Sequence, residues 1–398
     1  MLNKLTLKDY SLKGQRVLLR VDFNVPMNEA GNITSDKRMV EALPTIQYLM
    51  EQGAKIIICS HLGRPEGKPD PKLSLKPVAE HLKRLLKVPV LFTGEIIGQE
   101  TRKIVHNMQD GDILMLENLR FDSGEEANNI DFAKKLSSIA DVFCNDAFGT
   151  MHRAHASTVA ITKLLPSCVG FLVEKEVQMF GNLMENPKRP LVVILGGVKI
   201  KDKINLISNL INLADTILIG GAMAYTFLEA QGFSTGSSTV ERERIPLAKL
   251  LLDKAEKEGT KIILPIDHVV SEEFNFIADS KVIITGDFRK KNIGMDIGPK
   301  TIKLYSAEIM KAKTIFWNGP MGVFEFEKFS KGTRKIAEAI VKSKAVSVVG
   351  GGDTTSALQK MGLENMVTHV STGGGAALQF LEGEELPGLK AIMDKVGA

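Results

Sequence analysis

Short apolar runs alternate with longer segments of helical periodicity along the first half of the chain. The run at 56–59 is apolar at every position, which is typical of a strand buried on both faces of a parallel sheet. The segment 35–53 repeats its apolar residues at helical spacing and closes on Gly53. This alternation predicts a parallel sheet covered by helices. The other strands predicted in this half are 16–26, 54–61 around the apolar run, 88–92, 112–121 and 141–148, and a helix at 74–86 has Ser74 as its predicted N-cap.

The alternation breaks at a long amphipathic segment, 171–190, and then restarts. Pro187 and Pro190 cannot continue a helix, so a domain boundary is expected there. The pattern therefore predicts an α/β protein with two doubly wound parallel-sheet (Rossmann-like) domains joined by an interdomain helix and hinge. The strand candidates of the second half are 190–197, 215–223, 261–270, 314–324, 345–353 and 366–375.

Composition and charge narrow the class of protein. The chain has 398 residues, 44% hydrophobic and 25% charged, which is ordinary for a globular protein of two domains. Its 51 Lys and Arg against 47 Asp and Glu give no support to nucleic-acid or membrane-surface binding. The lack of a long apolar stretch predicts a cytoplasmic protein. Three cysteines without C-x-x-C spacing are expected to be buried, reduced thiols: Cys59, Cys144 and Cys168.

Polar and basic residues follow several predicted strands of the first half. Ligands bind beyond the carboxyl ends of parallel strands, so we expect these residues to meet in one cleft. Clustered arginines favour a small anion bearing phosphate or carboxylate, although any one arginine alone is more often a surface salt-bridge partner. His152 and His155 also have a spacing that metal ligands use, but no third ligand accompanies them. The candidate residues are Asp22, Asn24, Arg38, His61, Arg64, Arg120, Asn145, Asp146, His152, Arg153 and His155.

Glycine clusters follow the predicted strands of the second half. Glycine lets backbone N–H groups approach phosphate, and a helix N-terminus favours its charge, so repeated clusters predict a polyphosphate ligand. Tight strand-to-helix turns also use glycine for purely structural reasons. Lys199 and Lys203 could neutralise phosphate, and Asp353 could meet Mg²⁺ or cap a helix. The clusters are 196–197, 220–221, 319, 350–352 and 373–375.

Two common nucleotide signatures are absent from the sequence. No G-x-x-x-x-G-K-[ST] motif occurs, which excludes a P-loop NTPase. No full G-x-G-x-x-G fingerprint with a following acidic residue occurs either, and GGGDTT at 350–355 ends in Thr. This argues against an NAD-dependent dehydrogenase, the competing enzyme class.

Motifs along the whole chain resemble those of the phosphoglycerate kinase family and occur in the family's order. They are RVDFNVP (20–26), the helix start with Arg38 before ALPTI, SHLGRP (60–65), LENLRF (116–121), NDAFGTMHRAHAST (145–158), GGVKIKDKI (196–204), GGAMAYTFL (220–228), WNGPMGVFE (317–325), VVGGGDTT (348–355) and STGGGA (371–376).

The resemblance implies reversible, Mg²⁺-dependent phosphoryl transfer from 1,3-bisphosphoglycerate to ADP, giving 3-phosphoglycerate and ATP in glycolysis and gluconeogenesis. It also implies a monomer with small-molecule substrates and neither nucleic-acid nor membrane partners. A non-catalytic nucleotide-binding relative is the alternative, and the presence of Arg38, Lys199 and Asp353 argues against it. The implied domains are a phosphoglycerate-binding domain at 1–170, an interdomain helix and hinge at 171–187, a nucleotide-binding domain at 188–376, and a segment at 377–398 that returns to the N-terminal domain.

The resemblance also implies the site residues. The acid and its phosphate would be bound by Asp22, Phe23, Asn24, Arg38, His61, Leu62, Gly63, Arg64, Arg120 and Arg153. The nucleotide would be bound by Gly197, Lys199, Lys203, Gly221, Gly294, Gly298, Asn318, Pro320, Glu325, Gly351, Gly352, Asp353 and Thr354, with Glu325 on the ribose and Asp353 also on the metal. The catalytic residues would be Arg38, Lys199, Gly373 and Gly374.

The implied chemistry needs no general base. The acceptor carboxylate has an ordinary pKa of roughly 3.5 and is already ionised. Catalysis is therefore expected from positioning and positive charge, with the domains closing about the helix at 171–187. The chain departs from the family pattern at Val198, Lys201 and Ala222, and Ala222 is expected to change nucleotide affinity modestly. The Lys-rich stretch 288–292 has no assigned role.

Overall fold

The computed structural model describes residues 3–395, which divide into two compact units. Unit 1 contains residues 3–178 and 385–395, and unit 2 contains residues 179–384. Each unit contains a six-stranded sheet in which all neighbouring strands are parallel. The predicted fold class, two doubly wound parallel-sheet units, is confirmed.

Unit 1 has its sheet in the order β3-β4-β2-β1-β5-β6, so the chain starts in the middle and winds outward twice. The strands are β1 Arg16–Val21, β2 Lys55–Cys59, β3 Leu91–Phe92, β4 Ile113–Met115, β5 Val142–Asp146 and β6 Ser167–Val169. The helices are α1 Lys37–Glu51, α2 Lys76–Leu86, α3 Gln99–Asn107, α4 Ser123–Glu126, α5 Ile130–Ser137 and the first part of α6 Phe171–Glu185.

The register of this sheet places the functional residues together. Arg20 in β1 pairs with Cys59 in β2 and with Asn145 in β5. The carboxyl ends of three adjacent strands therefore lie side by side, because parallel strands all point the same way. The residues that leave these ends emerge at one edge of the sheet.

Two local predictions in unit 1 were wrong. The strand expected at 112–121 ends at Met115, and Leu119–Phe121 form a 3₁₀ turn. Asn118 causes the turn, because its side-chain oxygen accepts a hydrogen bond from the Arg120 N–H at 3.1 Å. Ser74 is not the N-cap of α2, since Leu75 occupies that position. The Ser74 hydroxyl instead donates to Glu117 at 2.7 Å and accepts from the Lys76 N–H at 3.2 Å.

Unit 2 repeats the parallel sheet and adds a second one. The strands are β7 Leu191–Leu195, β8 Thr216–Ile219, β9 Lys261–Ile263, β10 Asp267–Ser271, β11 Ser280–Ile284, β12 Ile293–Ile297, β13 Thr314–Asn318, β14 Val346–Gly350 and β15 His369–Val370. The parallel sheet has the order β15-β14-β13-β7-β8-β9, and the antiparallel sheet has the order β11-β10-β12. The helices are α7 Ile204–Ile211, α8 Met223–Ala230, α9 Ile245–Glu258, α10 Pro299–Ile309, α11 Lys331–Ser343, α12 Gly352–Met361 and α13 Gly375–Leu381, and α14 Pro387–Lys390 belongs to unit 1.

The antiparallel sheet was not predicted. The segment 261–270 was expected to be one strand, but β9 ends at Ile263 and β10 begins at Asp267, in a different sheet. Pro265 lies between them and cannot donate a ladder hydrogen bond. Strand β11 escaped prediction because most of its residues are exposed, so it lacks the alternation of a half-buried strand.

The three cysteines are free and buried, as predicted. Cys144 and Cys168 face each other in register on β5 and β6, and Cys59 ends β2. Burial raises the pKa of the Cys59 thiol to about 12, which makes it unreactive. No helix among the described residues is long and apolar enough to cross a membrane.

Candidate functional site

A cluster of polar side chains, here called the anion site, lies at the carboxyl ends of β1 and β2. Arg38 Nη1 donates to Asp22 Oδ2 at 2.7 Å and approaches the Asn24 carbonyl at 3.4 Å. Asn24 Oδ1 accepts a hydrogen bond from the Gly63 N–H at 3.0 Å. The structure thus brings Asp22, Asn24 and Arg38 against the loop that follows β2.

Arg120 holds the same loop from the other side. Its Nη1 donates to the Gly63 carbonyl at 2.6 Å, and its Nε lies 3.4 Å from Glu126 Oε1. Arg120 is 6% exposed, and burial lowers the pKa of its guanidinium, with Glu126 opposing this shift. Arg120 is therefore a desolvated cation, and a charge in that state interacts strongly with an arriving anion.

His61 stands between these cations. It is 5% exposed, with Nδ1 3.2 Å from Arg20 Nη2. Burial, followed by the positive charges of Arg20, Arg120 and Arg38, lowers the pKa of His61 well below its ordinary value. His61 is therefore neutral near pH 7, and its ring can offer a hydrogen bond but not a charge.

The remaining residues predicted for this site lie in two environments. Arg64 and Arg153 are exposed, and Arg153 Nε lies 3.2 Å from His152 Nε2. Phe23 and Leu62 are buried, so their side chains belong to the core, while their backbone N–H groups fix the loops. These N–H groups donate to Ser60 Oγ at 2.9 Å and to Asn118 Oδ1 at 3.2 Å, respectively.

Two strand-end candidates have structural roles instead. Asp146 Oδ1 accepts from the N–H groups of Leu172 and Val173, at 2.9 and 3.2 Å, and so caps helix α6. Burial raises the pKa of Asp146 to about 6. Asn145 Oδ1 accepts from the Ala147 N–H at 3.1 Å within its own turn. The expectation that these two residues join the ligand cleft was wrong, because the end of β5 uses them to start the following structure.

Sequence reasoning missed a buried polar group beneath the anion site. Arg20, Glu125 and Ser157 are each at most 1% exposed and are linked by hydrogen bonds. The available signal was Arg20 near the end of the apolar strand β1, RVLLRV, since charged residues are seldom fully buried without a partner. His155, also buried, has its pKa lowered to about 4, first by burial and then by Arg120.

Unit 2 contains a cavity of about 450 Å³ between its two sheets. Six of the residues predicted to bind nucleotide line it: Gly197, Gly221, Gly294, Pro320, Glu325 and Asp353. Ala222, where the chain departs from the family pattern, lines it as well. The lining also includes residues that sequence reasoning did not assign: Tyr225, Phe274, Met295, Asp296 and Phe326.

The floor of the cavity is made where two strand-to-helix turns touch. Gly197 and Gly221 both have left-handed backbones, with φ of +95° and +64°. A Cβ at Gly221 would lie 2.5 Å from the Gly197 backbone nitrogen, so glycine is required there. A Cβ at Gly294 would lie 1.8 Å from the Tyr225 hydroxyl. Gly298 does not line the cavity and packs against Asp267 instead.

Lys203 is tied to the same turns. Its Nζ donates to the carbonyls of Gly196 at 2.6 Å and Asn318 at 3.1 Å. Burial lowers the pKa of Lys203 to about 8, with Asp353 opposing the shift. Lys199, by contrast, is exposed.

The start of α12 presents Asp353 to the cavity. Gly351 is the N-cap, with φ of +94°, and Asp353 is exposed in the first turn just after Gly352. The alternative that Asp353 caps the helix is therefore wrong. Thr354 Oγ1 accepts from the Gly319 N–H at 2.7 Å and ties α12 to β13.

The turn before α13 contains the other predicted glycines. Gly374 is the N-cap, with φ of +52°, and no atom outside its own turn and helix lies within 4 Å of the place where its Cβ would be. The Gly373 N–H already donates to Ser371 Oγ at 3.0 Å. The backbone at Gly374 is therefore open to a ligand, whereas the Gly373 N–H is engaged.

Two further residues support the cavity and were missed. Asp296 Oδ2 accepts from the Gly332 N–H at 2.6 Å, and burial raises the pKa of Asp296 to about 7. Glu241 Oε2 accepts from the N–H groups of Ile200 and Lys201, at 2.5 and 3.2 Å. Glu241 thereby holds the turn that contains Lys203. Neither residue belongs to a motif whose spacing suggests such a contact.

The described residues contain no group of three or more His, Cys, Asp or Glu side chains placed to hold a metal ion. This excludes an all-protein metal cage in that part of the chain, including one built on His152 and His155. A single exposed carboxylate beside a cavity, as Asp353 is, fits Mg²⁺ that arrives with a polyphosphate and keeps its other ligands from phosphate and water.

Comparisons with known proteins show the family to which the chain belongs. A profile of the phosphoglycerate kinase family matches residues 7–384. The phosphoglycerate kinase of Clostridium tetani is 51% identical over 398 residues, which covers 99% of this chain and 98% of that protein. The phosphoglycerate kinase of Finegoldia magna is 52% identical over 396 residues, covering 99% of this chain and all (100%) of that protein.

Solved structures give the same result. The structure of phosphoglycerate kinase from Coxiella burnetii matches with a TM-score of 0.89 at 41% identity and covers 98% of both chains. The crystal structure of phosphoglycerate kinase from Pyrococcus horikoshii matches with a TM-score of 0.84 at 35% identity, covering 97% of this chain and 98% of that one.

Proposed function

Because the chain belongs to the phosphoglycerate kinase family and is a phosphotransferase with a carboxyl group as acceptor, we propose that unit 1 binds the phosphoglycerate and unit 2 binds the nucleotide. The reaction is the reversible transfer of a phosphoryl group between 1,3-bisphosphoglycerate and ADP. The observation that carries this assignment is the convergence of Arg38, His61 and Arg120 at the carboxyl ends of β1 and β2.

The anion site has the charge that a phosphoglycerate requires. Arg38 is oriented by Asp22, yet its side chain is 34% exposed, so part of the guanidinium fork is free for an oxyanion. Arg120 adds a desolvated charge, and Arg64 and Arg153 add two exposed ones. Asp22 and Asn24 complete the set by orienting Arg38 and the Gly63 N–H.

The unit 2 cavity has the features that a nucleoside di- or triphosphate requires. Its volume of about 450 Å³ and apolar walls suit a base, and Glu325 on the lining is placed to accept from ribose hydroxyls. Lys203 lies beside Gly197, which fits a role at the phosphates. Lys199 is exposed on the same loop and would meet the transferring group.

Mg²⁺ would be held by Asp353 together with the nucleotide phosphates, and it would neutralise negative charge on them. This assignment rests on the exposed carboxylate at the start of α12. The nucleotide phosphates and water would supply most of the other ligands of the ion.

The protein's part in catalysis is positioning and charge stabilisation. The acceptor carboxylate is ionised, so no residue needs to take a proton from it. In the transition state, the phosphoryl group being transferred carries negative charge on its oxygens. Fixed cations and backbone N–H groups stabilise that charge without reorganising. Arg38, Lys199 and the open backbone at Gly374 are the groups proposed for this task.

Direct trapping of the acyl phosphate tests the proposal. The purified protein is incubated with 3-phosphoglycerate, MgATP and hydroxylamine, which converts an acyl phosphate to a hydroxamate. We expect hydroxamate only when all components are present. Its absence with a folded protein that still binds MgATP would identify a non-catalytic nucleotide-binding relative.

A further inference from the structure

Arg20 lies inside β1 with 1% of its surface exposed, and all three nitrogens of its guanidinium are engaged within the protein. Nε donates to Ser157 Oγ at 2.9 Å, Nη1 donates to the Val21 carbonyl, and Nη2 lies 3.2 Å from His61 Nδ1. Because this guanidinium is buried and each of its nitrogens already has a partner in the protein, a ligand in the anion site cannot reach it. Its function must therefore be exerted on the residues it touches.

Glu125 balances the charge of Arg20 through Ser157. Glu125 is fully buried, and its Oε1 accepts from the Ser157 hydroxyl at 2.5 Å while Oε2 accepts from the Ser157 N–H at 3.0 Å. Because the hydroxyl proton points to Glu125, a lone pair of Ser157 Oγ is left to accept from Arg20 Nε. The hydrogen bonds among these residues therefore have one consistent set of donors and acceptors. We call the group the Arg20 network; it consists of Glu125, Ser157, Arg20 and His61.

That direction fixes the protonation of His61. A guanidinium nitrogen can only donate, so His61 Nδ1 must present its lone pair to Arg20. A neutral imidazole with an unprotonated Nδ1 has its proton on Nε2. Asp22 Oδ1, at 3.9 Å from Nδ1, is too far for a hydrogen bond that would favour the other form.

Nε2 is the ring nitrogen of His61 that does not face Arg20. Within residues 3–395, no group accepts a hydrogen bond from it, so its N–H is available to a ligand. The charged and titratable groups that face His61 are mostly cationic, which disfavours an imidazolium. They are Arg20, Arg38, Arg120, His155 and Asp22.

We propose that Arg20 is a positioning residue that holds His61 as its neutral Nε2–H tautomer, so that His61 gives a bound phosphoglycerate one neutral hydrogen bond. The inference rests on the proposed function of the anion site. It divides the basic residues there into two kinds. Arg38 and Arg120 are placed to act on the ligand themselves, while the buried Arg20 acts through the donor that it sets on His61.

The first test uses the unaltered protein without substrate. Long-range ¹H–¹⁵N correlation spectra distinguish the two neutral tautomers and the imidazolium, and the His61 signals are assigned with His61→Gln. We expect the Nε2–H pattern, unchanged across the pH range in which an ordinary histidine titrates. An Nδ1–H pattern, or titration with an ordinary histidine pKa, overturns the proposal even if the protein is a fully active kinase.

The second test alters the positioning group. Lys at position 20 keeps the charge but cannot reach Ser157 and His61 with separate nitrogens. We expect Arg20→Lys to mix the His61 tautomers and to raise KM for 3-phosphoglycerate about tenfold, the loss of one hydrogen bond. The MgATP KM should stay within about twofold, and the 3-phosphoglycerate KM should become pH-dependent as His61 becomes titratable.

Arg16→Lys is the matched control, because Arg16 lies on the same strand and pairs with Asp141 at 2.5 Å, away from the network. It should leave the His61 spectrum and both KM values unchanged. Should Arg20→Lys fail to fold, Ser157→Ala removes the acceptor of Arg20 Nε and is expected to move the same His61 signals. A normal His61 spectrum and normal KM in both variants would overturn the proposal.

The outcomes separate this inference from the proposed function. If the spectrum shows Nε2–H but the protein forms no hydroxamate, the tautomer assignment stands and the proposed kinase activity is wrong. If the protein is an active kinase but its His61 spectrum does not respond to Arg20→Lys, the proposed function stands and the positioning role of Arg20 is wrong.

Discussion

Arg38 Nη1 and Asp22 Oδ2 lie 2.7 Å apart, and this pair joins the start of helix α1 to the end of strand β1. Asp22 is 10% exposed and Arg38 is 34% exposed, so the carboxylate is the fixed partner and the guanidinium is the one that reaches solvent. The ion pair therefore orients the Arg38 guanidinium and leaves part of it accessible to a ligand. The same arrangement makes Arg38 the most direct test of the anion site.

Replacing Arg38 with Ala should lower turnover by about a hundredfold or more, the usual cost of removing one fixed group that stabilises transition-state charge. ADP affinity, measured by calorimetry, should stay nearly unchanged, because Arg38 belongs to unit 1 and the proposed nucleotide cavity to unit 2. Arg102→Ala, which removes an exposed arginine bonded to Ser138, is the control and should be fully active. A large loss of ADP affinity in Arg38→Ala would place Arg38 in the other site.

Nucleotide affinity should depend on the protonation of Lys203. Burial lowers the pKa of this amine to about 8, so Lys203 is mostly charged at pH 7 and mostly neutral at pH 9. The dissociation constant of ADP should therefore rise as pH increases through about 8. Lys203→Met should bind ADP about tenfold or more weakly than the unaltered protein at pH 7. Its dissociation constant for ADP should no longer depend on pH above 8.

Lys199→Met is the matched control for this prediction. It removes a cation from the same loop but keeps Lys203, so the dependence of affinity on pH should remain. Equal slopes in Lys203→Met and in the unaltered protein would show that another group titrates.

The parts of the fold that follow from periodicity could be predicted, and the parts that depend on long-range contacts could not. Continuous apolar runs such as Leu191–Leu195 identify buried parallel strands by themselves. Strand β11 carries exposed residues and is a strand only because it pairs with β10, which lies outside any local window. The turn at Arg120 likewise depends on the side chain of Asn118 rather than on apolar spacing.

The candidate site shows the same division. Motif residues such as Arg38 and Lys203 could be proposed from the sequence because their residue type and position suit a ligand. Glu125 and Asp296 were not found, since their importance arises from being buried beside groups distant in sequence. Asp146 was placed wrongly because a strand-end carboxylate can as well cap the next helix, and only the structure shows the N–H groups it accepts.

The metal requirement should respond to Asp353. Asp353→Asn removes the carboxylate but keeps the size of the side chain at the start of α12. The Mg²⁺ concentration for half-maximal turnover should rise about tenfold, whereas metal-free ADP should bind as well or better because a negative charge near its phosphates is gone. Glu364→Gln, an acidic residue beyond the end of the same helix, serves as the control and should keep the normal Mg²⁺ dependence. Weaker binding of metal-free ADP to Asp353→Asn would indicate a structural role for Asp353.

The stability of unit 2 should depend on pH through Asp296. Burial raises the pKa of this carboxyl to about 7 from an ordinary value near 3.8, so the folded state favours the protonated form. Between these two values the folded protein binds more protons than the unfolded chain, and stability therefore falls as pH rises from about 4 to 7 and is flat above. Each unit of pKa corresponds to about 1.4 kcal/mol. Asp296→Asn cannot titrate, so its free energy of unfolding relative to the unaltered protein should improve steadily over this range.

Asp296→Asn should also lose a constant amount of unfolding free energy at every pH. The amide at position 296 cannot accept from both the Gly332 and the Ile297 N–H groups. Denaturant unfolding measured at several pH values separates the two effects, since the lost hydrogen bond shifts all points equally and titration changes the slope. Asp267→Asn is the matched control: Asp267 is also buried on the antiparallel sheet and accepts from the Thr301 N–H at 2.7 Å, so it loses a comparable bond while Asp296 still titrates. A parallel pH profile for Asp296→Asn and the unaltered protein would mean that Asp296 stays ionised in the folded state.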